Sequence, residues 1–64
     1  MVYVIEVTNK KHGWKGISQV GYRTLAGAIR FIQSRSDYTG QIVENWMCET
    51  EDHIYTIKDI QIEE

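Results

Sequence analysis

Proline is absent from these 64 residues, and cysteine occurs once, as Cys48. One thiol cannot close an intramolecular disulfide, so packing and hydrogen bonds alone have to hold the fold. Small secreted domains usually rely on such staples, and their absence points to a reducing, cytoplasmic compartment. No apolar run approaches the roughly 20 residues of a membrane-spanning helix, so no membrane partner is expected. "MVYVIEVTNKK" alternates apolar with polar residues, unlike the basic and then unbroken apolar stretch of a signal peptide. Low-complexity tracts and internal repeats are also missing. The expectation is one domain over residues 1–64.

A hydrophobic fraction of 42% and seven aromatic residues speak against disorder. A chain this short buries only about 60% of the surface its unfolded form exposes, so the core is small. Charge is divided unevenly. Residues 1–35 carry six basic residues against Glu6 alone, and residues 36–64 carry eight acidic residues against Lys58 alone. The simplest account is that neighbouring elements of a small fold neutralise one another.

Periodicity predicts five elements. "VYVIEVT" (2–8) alternates as a strand, with Tyr3, Ile5 and Val7 on one face. "NKKHGWKG" (9–16) is loop, and "ISQVGY" (17–22) a second strand weakened by Gly21. "TLAGAIRFIQSRS" (24–36) is the helix. Thr24 caps it, and Leu25, Ala28, Ile29 and Ile32 line one face. Gly27 lacks a side chain and would permit another backbone to approach. "QIVENWMCE" (41–49) is a third strand, "TED" (50–52) a turn and "HIYTIKDIQI" (53–62) a fourth strand. A bulge near Lys58–Asp59 would bring Tyr55, Ile57, Ile60 and Ile62 to one side. The fold expected is α+β: a two-layer ββαββ domain, one helix on a mostly antiparallel four-stranded sheet, either β-grasp-like or split into hairpins.

"WMCETEDH" (46–53) gathers Cys48, His53 and three acidic residues. C-x-x-x-x-H without a second Cys or His pair is an incomplete ligand set, so no metal and no cofactor is expected. The carboxylates around Cys48 would raise its thiol pKa, which suits neither a nucleophile nor a metal ligand. No catalytic or phosphate-binding motif appears. An enzyme is not expected.

The loop "KKHGWKG" is the most specific feature, with cations around a Trp between two glycines. It suits an anchor that fills a partner's pocket while lysines steer the approach. It equally suits base stacking with phosphate contacts, or a Trp folded over the core edge. Trp14, Lys10, Lys11, Lys15 and Arg23 are the candidate patch. Glu49, Glu51 and Asp52 would form another at the opposite hairpin. The sheet face away from the helix is expected to be an open aromatic surface carrying Tyr3, Tyr22, Trp46 and Tyr55. A homodimer with Trp46 or Tyr55 near its contact is expected, because a small core gains from burying apolar surface in a partner.

"YRTLAGAIRFIQSR", between two hairpins, resembles the T-L-x-x-A-I-x-F-I helix of small orphan proteins from bacteriophages and mobile elements. The resemblance covers residues 22–36. It implies a compact, non-catalytic protein of the host cytoplasm that binds and often inhibits a host protein. It carries over no target and no binding residue. The alternative is a nucleic-acid-binding domain that uses the basic loop with Arg30 and Arg35.

Overall fold

Alternation near the start of the chain does produce a strand. The computed structural model describes residues 2–18 and 20–61, and β1 covers Val2–Asn9. It pairs antiparallel with β2 (Lys15–Ile17) on one side and β4 (His53–Ile60) on the other. β3 (Met47–Glu49) pairs with the far side of β4, so the sheet order is β2-β1-β4-β3. One helix, α1 (Leu25–Gln33), packs on one face. This is the expected α+β arrangement of one helix on a four-stranded sheet. Strands 1 and 4 lie in the centre, the order of the grasp topology, but they run antiparallel like every other pair, whereas the central pair of a β-grasp is parallel.

The core is Ile5, Ala28, Ile32, Cys48, Tyr55 and Ile57. Thr24 caps α1 as its sequence position predicts, its Oγ1 accepting from the Gly27 N–H at 3.0 Å. Ala28 and Ile32 point straight into the sheet, and Leu25 and Ile29 flank them. The helix stops at Gln33, three residues short of the expected end. There the Ser34 N–H is shared between the Arg30 and Phe31 carbonyls, the tightening that commonly closes a last turn. Gly27 admits no foreign backbone; its nearest neighbours are Thr24 Oγ1 and the Tyr22 ring.

Three local expectations are corrected. The bulge near Lys58–Asp59 is absent. Pairing runs unbroken from Asn9↔His53 to Val2↔Ile60, and eight consecutive partners hold that register. Tyr55 and Ile57 therefore face the helix while Ile60 lies on the open face, exposed. Ile62 lies outside the described residues. The second strand begins earlier than expected, at Lys15, and breaks after Ile17. Ser18 replaces a ladder bond with its side chain, its Oγ accepting from the Ile5 N–H at 3.1 Å. Tyr22 then rejoins β1 opposite Tyr3. Gly21 sits hard against this rejoining, and a Cβ there would collide with Val2 Cγ1.

The third correction concerns residues 41–46, which are not strand. Glu44 and Met47 exchange both backbone hydrogen bonds at 3.0 Å around a two-residue turn. Asn45 (φ 52°) and Trp46 (φ 61°) both lie in the left-handed region, the signature of a type I′ hairpin turn. Asn tolerates this conformation, whereas a bulky residue in it is strained. Trp46 is held there by an edge-on contact with the Tyr3 ring at 5.7 Å, and its carbonyl accepts the Ile57 N–H at 2.7 Å.

Candidate functional site: a Trp-walled groove at the hairpin ends

Because β1 and β4 are antiparallel neighbours, the loop after β1 and the turn before β4 lie at the same end of the sheet. The loop is tightly made. Asn9 Oδ1 accepts from the Lys11 and His12 N–H groups at 3.0 and 2.8 Å, and the Asn9 carbonyl accepts from Gly13 at 2.7 Å. Gly13 supplies the positive φ (75°) that closes the turn. Asn9 N–H then bonds the Trp14 carbonyl at 2.9 Å. Trp14 leaves this frame 53% exposed, so it is not folded away over the core edge.

The acidic residues are beside this loop, not at an opposite hairpin. Lys10 Nζ pairs with Glu49 at 2.7 Å and donates to the Thr50 carbonyl at 3.2 Å. The Lys10 N–H bonds the Asp52 carbonyl at 2.9 Å. Glu51 and Asp52 are exposed at the turn. Lys58–Glu6, at 3.1 Å, joins the two chain halves again. Among the described residues Lys10–Glu49 alone sets an excess cation of the first half against an excess carboxylate of the second, so ion pairing accounts for little of the charge split. Lys11 and Lys15 remain exposed near Trp14. Arg23 does not belong to their patch: it follows Tyr22, which pairs with Tyr3 near the other end of β1.

Behind Trp14 lies a groove of about 280 Å³, walled by Trp14 on one side and Phe31 and Arg35 on the other, with Val7, Gly16 and Tyr55 beneath. Gly16 is why it is open. It pairs with Val7, and so stands on the helix side of the sheet, where any side chain would occupy the space. Arg35 lies over the Phe31 ring, 5.3 Å from its centre. Sequence reading missed this groove, since only the assembled sheet brings residue 16 beside residues 31 and 35.

Next to the groove sits a polar knot that the sequence also hid. Asp37, in the turn after α1, accepts from Thr50 Oγ1, from His53 Nδ1 at 2.9 Å and from the Tyr55 hydroxyl at 2.9 Å. Burial of Asp37 opposes ionisation, but the hydrogen bonds from Thr50, His53 and Tyr55 outweigh it and bring the carboxyl down to about 2. An ionised Asp37 only accepts, so His53 carries its proton on Nδ1. Burial, then the bond to Asp37, pushes the Tyr55 hydroxyl up, although Arg35 nearby pulls the other way. An aspartate-held histidine is half of what general-base chemistry needs. The hydroxyl in the same groove wall, Ser18, is already committed: it donates to the Val20 carbonyl at 3.1 Å while accepting from Ile5. The knot ties the turn after α1 to the β3–β4 hairpin.

Cys48 points into the core, away from the turn that carries the acidic residues. Its thiol is pushed up by burial first and by the Asp37 charge second. The nearby Glu44, Glu49, Glu51 and Asp52 are not the cause expected from sequence. Among the described residues no three His, Cys, Asp or Glu side chains converge to hold a metal. Chelator is therefore expected to leave the melting temperature unchanged, and a fall of several degrees in a thermal scan would reveal a structural ion.

The open aromatic face is likewise corrected. Tyr55 is 1% exposed on the helix side, and Tyr3 and Tyr22 pack against the core there. Tyr55 is thus buried, whereas Trp46, edge-on to Tyr3, keeps 39% of its surface exposed. Tyr3 and Tyr55 share the strand phase of Ile5, Val7 and Ile57, so the alternation that turns those aliphatics toward the helix turns the tyrosines the same way. The face away from the helix is aliphatic, with Ile17, Met47 and Ile60 exposed. Among the described residues no helix is long and apolar enough to cross a membrane. Comparison with protein-family models, curated proteins and solved structures finds no match to this chain.

Proposed function

We propose that this chain is a small, non-catalytic protein-binding module that anchors its partner through Trp14. The observation that carries the reading is a half-exposed Trp on a loop made rigid by Asn9 and Gly13, standing over an apolar groove. A rigid exposed aromatic beside a pocket loses little entropy on binding and contributes disproportionately to affinity. The phage-like helix suggests the partner class: a host protein that the module inhibits or modulates. Nucleic acid is the weaker alternative. Lys10 is already paired with Glu49, which leaves Lys11, Lys15 and Arg35 at this end, few cations for tracking a phosphate backbone.

The test is capture from a bacterial lysate by the immobilised protein and by its Trp14→Ala variant. A protein retained by the first and lost from the second, with modest salt dependence, supports the proposal. Equal retention by both, or recovery of nucleic acid that washes off steeply with salt, overturns it.

A further inference from the structure

We infer that the groove and the free edge of β2 together form a receptor for an extended acidic peptide, with one large apolar side chain seated between Trp14 and Phe31. This rests on the protein-binding reading above and names the chemistry of the partner. Size is the first argument. At about 280 Å³ the groove lies at the lower limit of the roughly 300–1,000 Å³ of ligand pockets. It is suited to a single apolar side chain.

The backbone beside it supplies the second argument. Antiparallel strands turn alternate residues toward each neighbour. Trp14 bonds Asn9, and Ser18 bonds Ile5, so Gly16 midway between them faces β1 as well. The backbone N–H and C=O groups of Lys15 and Ile17 then point outward along the edge of the sheet. Among the described residues no strand pairs with β2 on that side. An edge of this kind is where an extended peptide adds as a further strand, its backbone giving affinity and its alternate side chains specificity. A residue placed opposite Gly16 would project onto the helix side, where the groove lies.

Charge supplies the third. Arg35 lines the groove, and among the described residues it has no carboxylate within ion-pair distance. Lys15 is in β2 itself and Lys11 in the loop before it, both exposed. Among the described residues no carboxylate lines the groove, and Asp37 behind it is already taken up by three hydrogen bonds. Carboxylates flanking the seated side chain match this rim.

The experiment is an amide NMR titration of the ¹⁵N-labelled protein with a blocked pentapeptide, one Phe flanked on each side by two Glu. Expected are saturable shifts at Gly16, Ile17 and the Trp14 indole. A Lys-flanked twin and a peptide with Ala in place of Phe should each bind about tenfold more weakly or worse. Gly16→Leu should fill the groove and abolish binding while the spectrum stays dispersed. The backbone φ of Gly16 is ordinary, and a Cβ there meets only Trp14 Cζ3 at 3.6 Å. Should that variant unfold, Arg35→Gln replaces it, with a several-fold loss expected for the Glu peptide and none for the Lys twin. Equal affinity for the Glu and Lys peptides, no shift at Gly16, or undiminished binding by the substituted proteins would overturn the proposal. A lysate protein still lost from Trp14→Ala in that case leaves the binding module standing and removes only the acidic-peptide receptor.

Discussion

Ile32→Ala is expected to lower stability by about 2–5 kcal/mol, the usual cost of removing a large buried aliphatic side chain. Ile32 is fully buried between α1 and the sheet, among Ile5, Tyr55 and Ile57. The lost transfer energy is only part of the effect. A sheet tied by continuous backbone pairing and a helix fixed by its Thr24 cap cannot collapse freely into the vacated volume. A domain of this size has only about 3–10 kcal/mol in total. The variant should therefore unfold at markedly lower urea than the parent, with far-UV circular dichroism as readout. A midpoint within about 0.2 M of the parent, at the urea slope of a small domain, would mean that the helix does not present this face to the sheet.

Asp37 should govern the acid limb of stability. Its carboxyl sits at about 2, below the ordinary aspartate value of 3.8, and the side chain is only 12% exposed. A depressed folded value means that the unfolded chain takes up the proton first as pH falls. The stabilisation is thus complete above about pH 4 and lost as pH drops through about 2, worth about 2 kcal/mol over that window. Asp37→Ala at neutral pH should cost about 3 kcal/mol or more, because Thr50 and the Tyr55 hydroxyl are buried and would lose their shared acceptor. The two effects are linked. The stability gap between parent and Asp37→Asn should narrow as pH is lowered from 4.5 to 1.5 in urea titrations. A gap that stays constant over that range would show that the carboxylate does not hold the knot together.

Some of this was readable from sequence and some was not, for physical reasons. Helix α1 declares itself through local signals, since the Thr24 cap and the 3.6-residue spacing of Leu25, Ala28, Ile29 and Ile32 depend on nothing distant. β1 and β4 are legible in the same way. Alternation overextends the third strand because its turn is written Asn-Trp, without the glycine that normally marks positive φ; Tyr3, more than 40 residues away, makes up for that lack. Ser18 gave no warning that its side chain would stand in for a backbone bond. Asp37 reads as an ordinary residue of a post-helical turn, and its partners Thr50, His53 and Tyr55 become neighbours only through the packing of the hairpin. Sequence alone sets the basic and acidic loops at opposite ends, because it does not give the strand order. Once β1 lies beside β4, Asn9 faces His53 and Lys10 falls on Glu49.

The lone thiol has a practical meaning. Cys48 lies in three-residue β3, the residue 1% exposed and its ionisation disfavoured. A thiol-modifying reagent can meet it only when this short strand lifts off β4. With no competing cysteine anywhere in the chain, each modified molecule records one such event. The modification rate is thus a built-in clock for excursions of the sheet's weaker edge. Compared with the global unfolding rate, it tells whether β3 and the Asn45–Trp46 turn come away alone or only with everything else.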